Sequence, residues 1–115
     1  MVKQIIVASG LSLVGCAGAQ IAPEKFEESQ ASIRGAEEVG ANDVPAAKLH
    51  LQLAKDQTEK AKKMSAAGDP AAELMLARAR SDAELAVVLS REDSIRQEAV
   101  KATEDLKTLQ DRGNP

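Results

Sequence analysis

Residues 45–111 read PAAKLHLQLAKDQTEKAKKMSAAGDPAAELMLARARSDAELAVVLSREDSIRQEAVKATEDLKTLQD, and their clearest punctuation is Gly68-Asp69-Pro70. Each of these three residues has its own physical use. Glycine adopts the left-handed conformation that closes a helix, and aspartate accepts from the free amides of the next one. Proline costs nothing at a first helical position, where its missing N–H has no partner to lose. The triplet predicts a tight reversal between two helices. From Pro70 to Asp111 neither glycine nor proline intervenes, which predicts one helix of about 42 residues, about 63 Å long. Gly113-Asn114-Pro115 ends it.

Upstream of the reversal, a second helix is expected from Pro45 to about Ala67. Ala47, Leu51, Ala54, Thr58 and Ala61 step by alternating fours and threes. Leu49 and Leu53 widen that face, while Lys, Asp and Glu occupy the other side. Asp56 with Lys60 and Glu59 with Lys63 form favourably ordered surface pairs, contributing a few tenths of a kcal/mol each. Before it, Pro23 opens a helix to about Val39, with Phe26 and Ile33 seven apart and Ala22, Ser29 and Ala36 at compatible positions. Gly35 weakens this first helix by up to about 1 kcal/mol relative to alanine. Gly40 stops it, and Asn42-Asp43 with Pro45 supply a cap and a restart.

The long third helix carries an early apolar face formed by Leu74, Ala77, Leu85, Val88 and their neighbours. Later it carries a heptad series: Leu85, Val88, Glu92, Ile95, Ala99, Ala102, Leu106 and Leu109 alternate spacings of three and four, with only Glu92 breaking the apolar run. A second helix about 36 Å long covers only the first half of a third helix about 63 Å long. Ile95, Ala99, Ala102, Leu106 and Leu109 therefore form an interaction seam with no obvious partner in the chain.

The expected fold is all-α: a helical hairpin or three-helix bundle over residues 23–112, with a long, coiled-coil-like C-terminal helix. Composition agrees with this. In 115 residues alanine is the commonest type, Phe26 is the only aromatic, and Trp and Tyr are missing. A core of Ala, Leu, Val and Ile suits closely approaching helices built from good helix formers. It suits sandwiches and barrels poorly. The 15 basic and 18 acidic residues are interspersed along the chain, which argues against a nucleic-acid partner. A lone cysteine, Cys16, permits neither an intrachain disulfide nor a multi-cysteine metal site.

Met1 to Gln4 carry one positive charge, on Lys3, and Ile5 to Val14 form a ten-residue apolar run. That layout is a signal peptide. A membrane span needs about 20 predominantly apolar residues; the uncharged stretch from Ile5 to Ala22 is slightly short and is diluted by Gly, Ser and Gln. An uncleaved anchor is the alternative reading. Leu13-Val14-Gly15-Cys16 resembles the lipobox of bacterial lipoproteins, with small residues before the cut and a thiol that accepts a diacylglycerol group. The resemblance implies that residues 1–15 are removed between Gly15 and Cys16. Cys16 is then acylated on its thiol and its freed amine, and residues 16–22 form a flexible spacer. The bland alternative is that Cys16 is a buried apolar residue of a signal helix. Several acyl chains hold a protein stably in lipid, since each buried methylene contributes roughly 0.8 kcal/mol. Ala17 stands where an aspartate often marks inner-membrane retention. By resemblance, this implies an outer-membrane anchor facing the periplasm.

The mature region also resembles bacterial lipoproteins of the domain-of-unknown-function 4398 (DUF4398) family, from about Ala22 to Leu89. The resemblance rests on the Gly-Ala turn, Pro45 near Ala46-Ala47, the repeated Leu/Ala spacing, Gly68-Asp69-Pro70 and the run Arg80-Ser81-Asp82-Ala83-Glu84-Leu85-Ala86. It implies no activity and no catalytic residue. The hairpin around Gly68 resembles a tetratricopeptide unit, but its helices exceed that repeat and no second copy follows. The lipid anchor and late heptad resemble the small murein lipoproteins. Arg112-Gly113-Asn114-Pro115 lacks their terminal lysine, so covalent attachment to the wall by that route is not expected.

His50, the sole histidine, is the one candidate for a histidine general base. Its plain reading is a partly exposed helix residue. Neither a Gly-rich phosphate loop nor a Gly-x-Ser-x-Gly elbow occurs. Glu27-Glu28 and Glu37-Glu38 are adjacent on a helix and diverge. No catalysis, cofactor, metal or small-molecule substrate is expected. Two functions are. The first is a lipid-anchored scaffold of the envelope whose seam pairs with itself or with an envelope protein. The second is a monomeric, tetratricopeptide-like module holding a peptide in a groove lined by Phe26 and Ile33, residues that serve equally well as core.

Overall fold

A computed structural model describes residues 20–113. Among them the chain is all-α, with α1 at Pro23–Glu38, α2 at Pro45–Ala66 and α3 at Ala72–Gly113. The 42-residue α3 is nearly twice as long as α2, which has 22 residues. α2 and the first half of α3 form an antiparallel hairpin, and α1 packs against both.

Both interhelix turns are built the same way. Gly40 and Gly68 take positive φ, 84° and 72°. Beyond each, the chain folds back onto the helix it has left: Ala41 N–H donates to Ala36 O at 3.0 Å, and Asp69 N–H to Met64 O at 2.9 Å. These long bonds, with Gly40 N–H to Glu37 O and Gly68 N–H to Ser65 O, satisfy carbonyls that a helix end otherwise leaves free. Asp69 then accepts from Ala71 N–H at 2.8 Å, so the Asp-Pro pair readies α3 although regular helix begins at Ala72. The expected Asn42-Asp43 cap is not formed. Val44 stands at the N-cap of α2 without a side-chain bond, and Pro45, with no N–H to satisfy, opens the helix.

The core is made of small side chains. Among the described residues, every buried one apart from Ile33, Leu51 and Leu76 is Ala, Ser or Thr. On α2 the buried ladder is Ala47, Leu51, Ala54, Thr58, Ala61 and Ser65. The matching ladder on α3 is Ala72, Leu76, Ala79, Ala83, Ala86 and Ser90. The two climb in the same alternation of four and three, in opposite directions, as coiled-coil-like packing of an antiparallel pair requires. Alanine seams let helices approach closely and lose no side-chain entropy, at the cost of little apolar area per residue. Buried hydroxyls are satisfied: Ser29 and Thr58 pair at 2.9 Å, Thr58 donates to Ala54 O, and Ser90 to Ala86 O.

The sequence-based faces need two corrections. Leu49 is 59% and Leu53 37% exposed, so neither belongs to the packed face of α2. On α3 the expected early face of Leu74, Ala77, Leu85 and Val88 points outward, and Leu74 and Val88 are each 58% exposed. The packed face is the ladder on the opposite side, because the helices approach too closely for a face of leucines, and a ladder of small residues with a single leucine, Leu76, fits.

Candidate functional site

α3 thus has two faces. Ala83 lies in the buried ladder and Leu85 in the apolar stripe, and at about 100° per residue they are about 200° apart around the helix. The inward ladder stops at Ser90. Continued in the same steps, it reads Asp93 or Ser94, Gln97, Lys101, Glu104 and Thr108, all polar. The outward stripe stays apolar far beyond that point. Ile95, Leu106 and Leu109 are 61–66% exposed, and Ala99 and Ala102 are exposed beside them. No residue from Arg91 to Gly113 is buried. All five predicted seam residues therefore lie on one uncovered face, continuous with Val88 and Leu85 at its start.

Local chemistry keeps the polar sides of the distal helix occupied. Arg96 donates to Glu92 at 2.5 Å, one turn away, which offsets the charge of the single acid in the stripe. Gln97 donates to Asp93, and Thr103 and Thr108 donate to the carbonyls four residues back. The stripe itself meets solvent.

The other end of the molecule places the start of the described chain. Ile21 N–H donates to the Ser65 hydroxyl at 3.0 Å, and Lys25 pairs with Glu73. The Lys25 ammonium, by its hydrogen bond first and its charge second, holds the Glu73 carboxyl below the ordinary glutamate range. Arg80 reaches Glu28 at 3.3 Å. These contacts bring the chain in beside the α2–α3 turn, so α3 leads away from that entry point. The expected signal peptide 1–15 and the expected lipobox of Leu13, Val14, Gly15 and Cys16 lie outside the described residues.

His50 is not an isolated surface residue. Its Nδ1 lies 2.8 Å from Asp82 Oδ1, and Gln57 Nε2 donates to Asp82 Oδ2 at 2.8 Å. The group ties α2 to α3, and the buried Gln57 Oε1 has no partner. Sequence reading missed it; the signal available was that His50 and Gln57 are seven apart on one side of α2. Of the two residues assigned to a peptide groove, Ile33 is a buried member of the core cluster and Phe26 is half-buried.

Among the described residues no helix is long and apolar enough to cross a membrane, and no three His, Cys, Asp or Glu side chains gather where they would hold a metal ion. Comparison with protein-family models, curated proteins and solved structures finds no match.

Proposed function

We propose that this chain is a lipoprotein of the bacterial envelope, anchored through acylated Cys16 in the outer membrane and facing the periplasm, and that it acts there as a non-catalytic scaffold. The observation that carries this reading is the uncovered apolar stripe on α3. A helix that runs 23 residues beyond the last residue it buries, and keeps leucine and isoleucine on one face throughout, is shaped for association. The resemblance of Leu13-Val14-Gly15-Cys16 to a lipobox supports the anchor. The peptide-groove alternative is weakened by the burial of Ile33 within the core.

In-cell photo-crosslinking tests the scaffold role. A photoreactive residue at Ala102 is expected to capture a protein, whereas one at Lys62, on the proximal bundle, is not. Capture from neither position would overturn the role. For the anchor, Cys16→Ser is expected to leave the protein unprocessed or soluble. A variant still processed and still membrane-bound would contradict lipidation.

A further inference from the structure

We propose that the partner of the α3 stripe is a second copy of the same chain, paired antiparallel and centred on Gln97. This rests on the scaffold reading above and specifies the occupant of its surface. In heptad terms Leu85, Glu92, Ala99 and Leu106 take the first core position and Val88, Ile95, Ala102 and Leu109 the second. From Leu85 to Leu109 the seam spans three and a half heptads, within the range over which such a series with charged flanks marks a coiled coil.

Charge selects the orientation. In a parallel pair each core residue meets its own copy, so Glu92 faces Glu92 inside the seam and the flanking positions set Arg91 against Arg96. Like charges so placed are destabilising. In the antiparallel pair centred on Gln97, Glu92 faces Ala102 of the second copy. Leu85 meets Leu109, Val88 meets Leu106, and Ile95 interleaves with Ala99 at the axis. Alongside the seam, Arg91 lies opposite Asp105 and Glu84 opposite Arg112, each twice by symmetry. None of these four residues takes part in an ion pair within the described chain.

Neighbouring antiparallel registers do worse. A shift of one heptad in one direction sets Glu84 against Asp105 and leaves Leu109 on Arg78. A shift in the other sets Arg91 against Arg112 and Glu98 against Asp105. The chosen register has like-charge contacts at the axis, where Glu98 and Arg96 each meet their own copy. Arg96 is already paired with Glu92.

The rest of the fold permits this arrangement, because α1 and α2 pack on the opposite face of α3 and leave Leu85 and Val88, at the start of the stripe, 40% and 58% exposed. The two chain-entry ends then lie at opposite ends of the pair, about 75 Å apart for 50 residues of helix. Two acyl anchors so placed would hold the rod along a membrane surface.

The test is the dissociation constant of the full chain in excess neutral detergent, by sedimentation equilibrium. Arg91→Glu is expected to weaken self-association about ten-fold or more, since two attractive pairs become repulsive. Arg91→Glu with Asp105→Arg is expected to restore it to within about three-fold of the original, since the swapped pairs again attract. A parallel pair predicts the reverse sign for Arg91→Glu, which relieves Arg91 against Arg96. Tighter association of that variant, or a chain monomeric at every concentration, would overturn the proposal. Arg91 is exposed, and unchanged helicity checks that its variants fold. If the chain is monomeric but Ala102 still captures another envelope protein in cells, self-pairing fails and the scaffold reading stands. Short thiol-to-thiol crosslinking gives a second readout: Glu98→Cys is expected to link to itself across the axis and Ala102→Cys is not. Self-linking at Ala102→Cys alone would contradict the antiparallel register.

Discussion

The two halves of α3 are one uninterrupted helix under opposite constraints. From Ala72 to Ser90 a ladder of small residues is buried against α1 and α2; from Arg91 to Gly113 nothing is buried. Helix propensity and i,i+4 bonds such as Glu92–Arg96 support both halves, but only the first is held by packing. Most helical stability in proteins comes from tertiary burial. A distal half left bare of that support, yet apolar along one face, is what the proposed partner would account for. The same helix thus shows that a face can be apolar for a reason other than the core of its own chain.

The largest test of this contrast compares equivalent leucines. Leu76→Ala removes a buried side chain from the proximal ladder and is expected to cost about 2–5 kcal/mol of folding stability. Leu106→Ala, on the exposed stripe, should leave the monomer's stability nearly unchanged and weaken association. Thermal unfolding at low protein concentration separates the two, and equal losses would break the comparison.

A second test enlarges alanines. Ala83→Leu forces a bulky side chain into a seam sized for alanine, for an expected cost of about 1–3 kcal/mol. Ala99→Leu places the same side chain on the outward stripe and should leave folding intact while tightening self-association. Unfolding and sedimentation of the two variants check the opposite signs.

The smallest effect is expected from the largest change. Deleting residues 93–115 removes no buried residue among those described, so the unfolding midpoint of the dilute protein should move by the equivalent of less than about 0.5 kcal/mol. A large drop would mean that the distal half stabilises the bundle, contrary to the division drawn here.

Much of this architecture was legible in the sequence. Gly40, Gly68, Asp69 and Pro70 mark the turns through conformational requirements that are local, and the ladder of Ala47, Leu51, Ala54, Thr58 and Ala61 is buried as its spacing predicts. The early face of α3 was not legible. Leu74, Leu85 and Val88 outweigh Ala79, Ala83 and Ala86 on any hydrophobicity scale, yet at the observed interhelix distance it is the alanines, with Leu76, that are buried. That distance is a property of two helices together. The His50–Asp82–Gln57 tie was only half visible: the spacing of His50 and Gln57 puts both on one side of α2, but Asp82 joins them through the register of α2 against α3, which no local signal states. The exposure of Ile95, Ala99, Ala102, Leu106 and Leu109 was readable because, among the described residues, α2 is too short to reach them.

Amide hydrogen exchange along α3, measured on the full chain at increasing protein-to-lipid ratios, tests the central claim most directly. The account predicts that residues 74–90 stay protected at every ratio, while protection of residues 95–111 is weak in the dilute protein and rises as the chains associate. Distal amides that exchange at one unchanging rate at all ratios would show a stripe that nothing covers, and would contradict it.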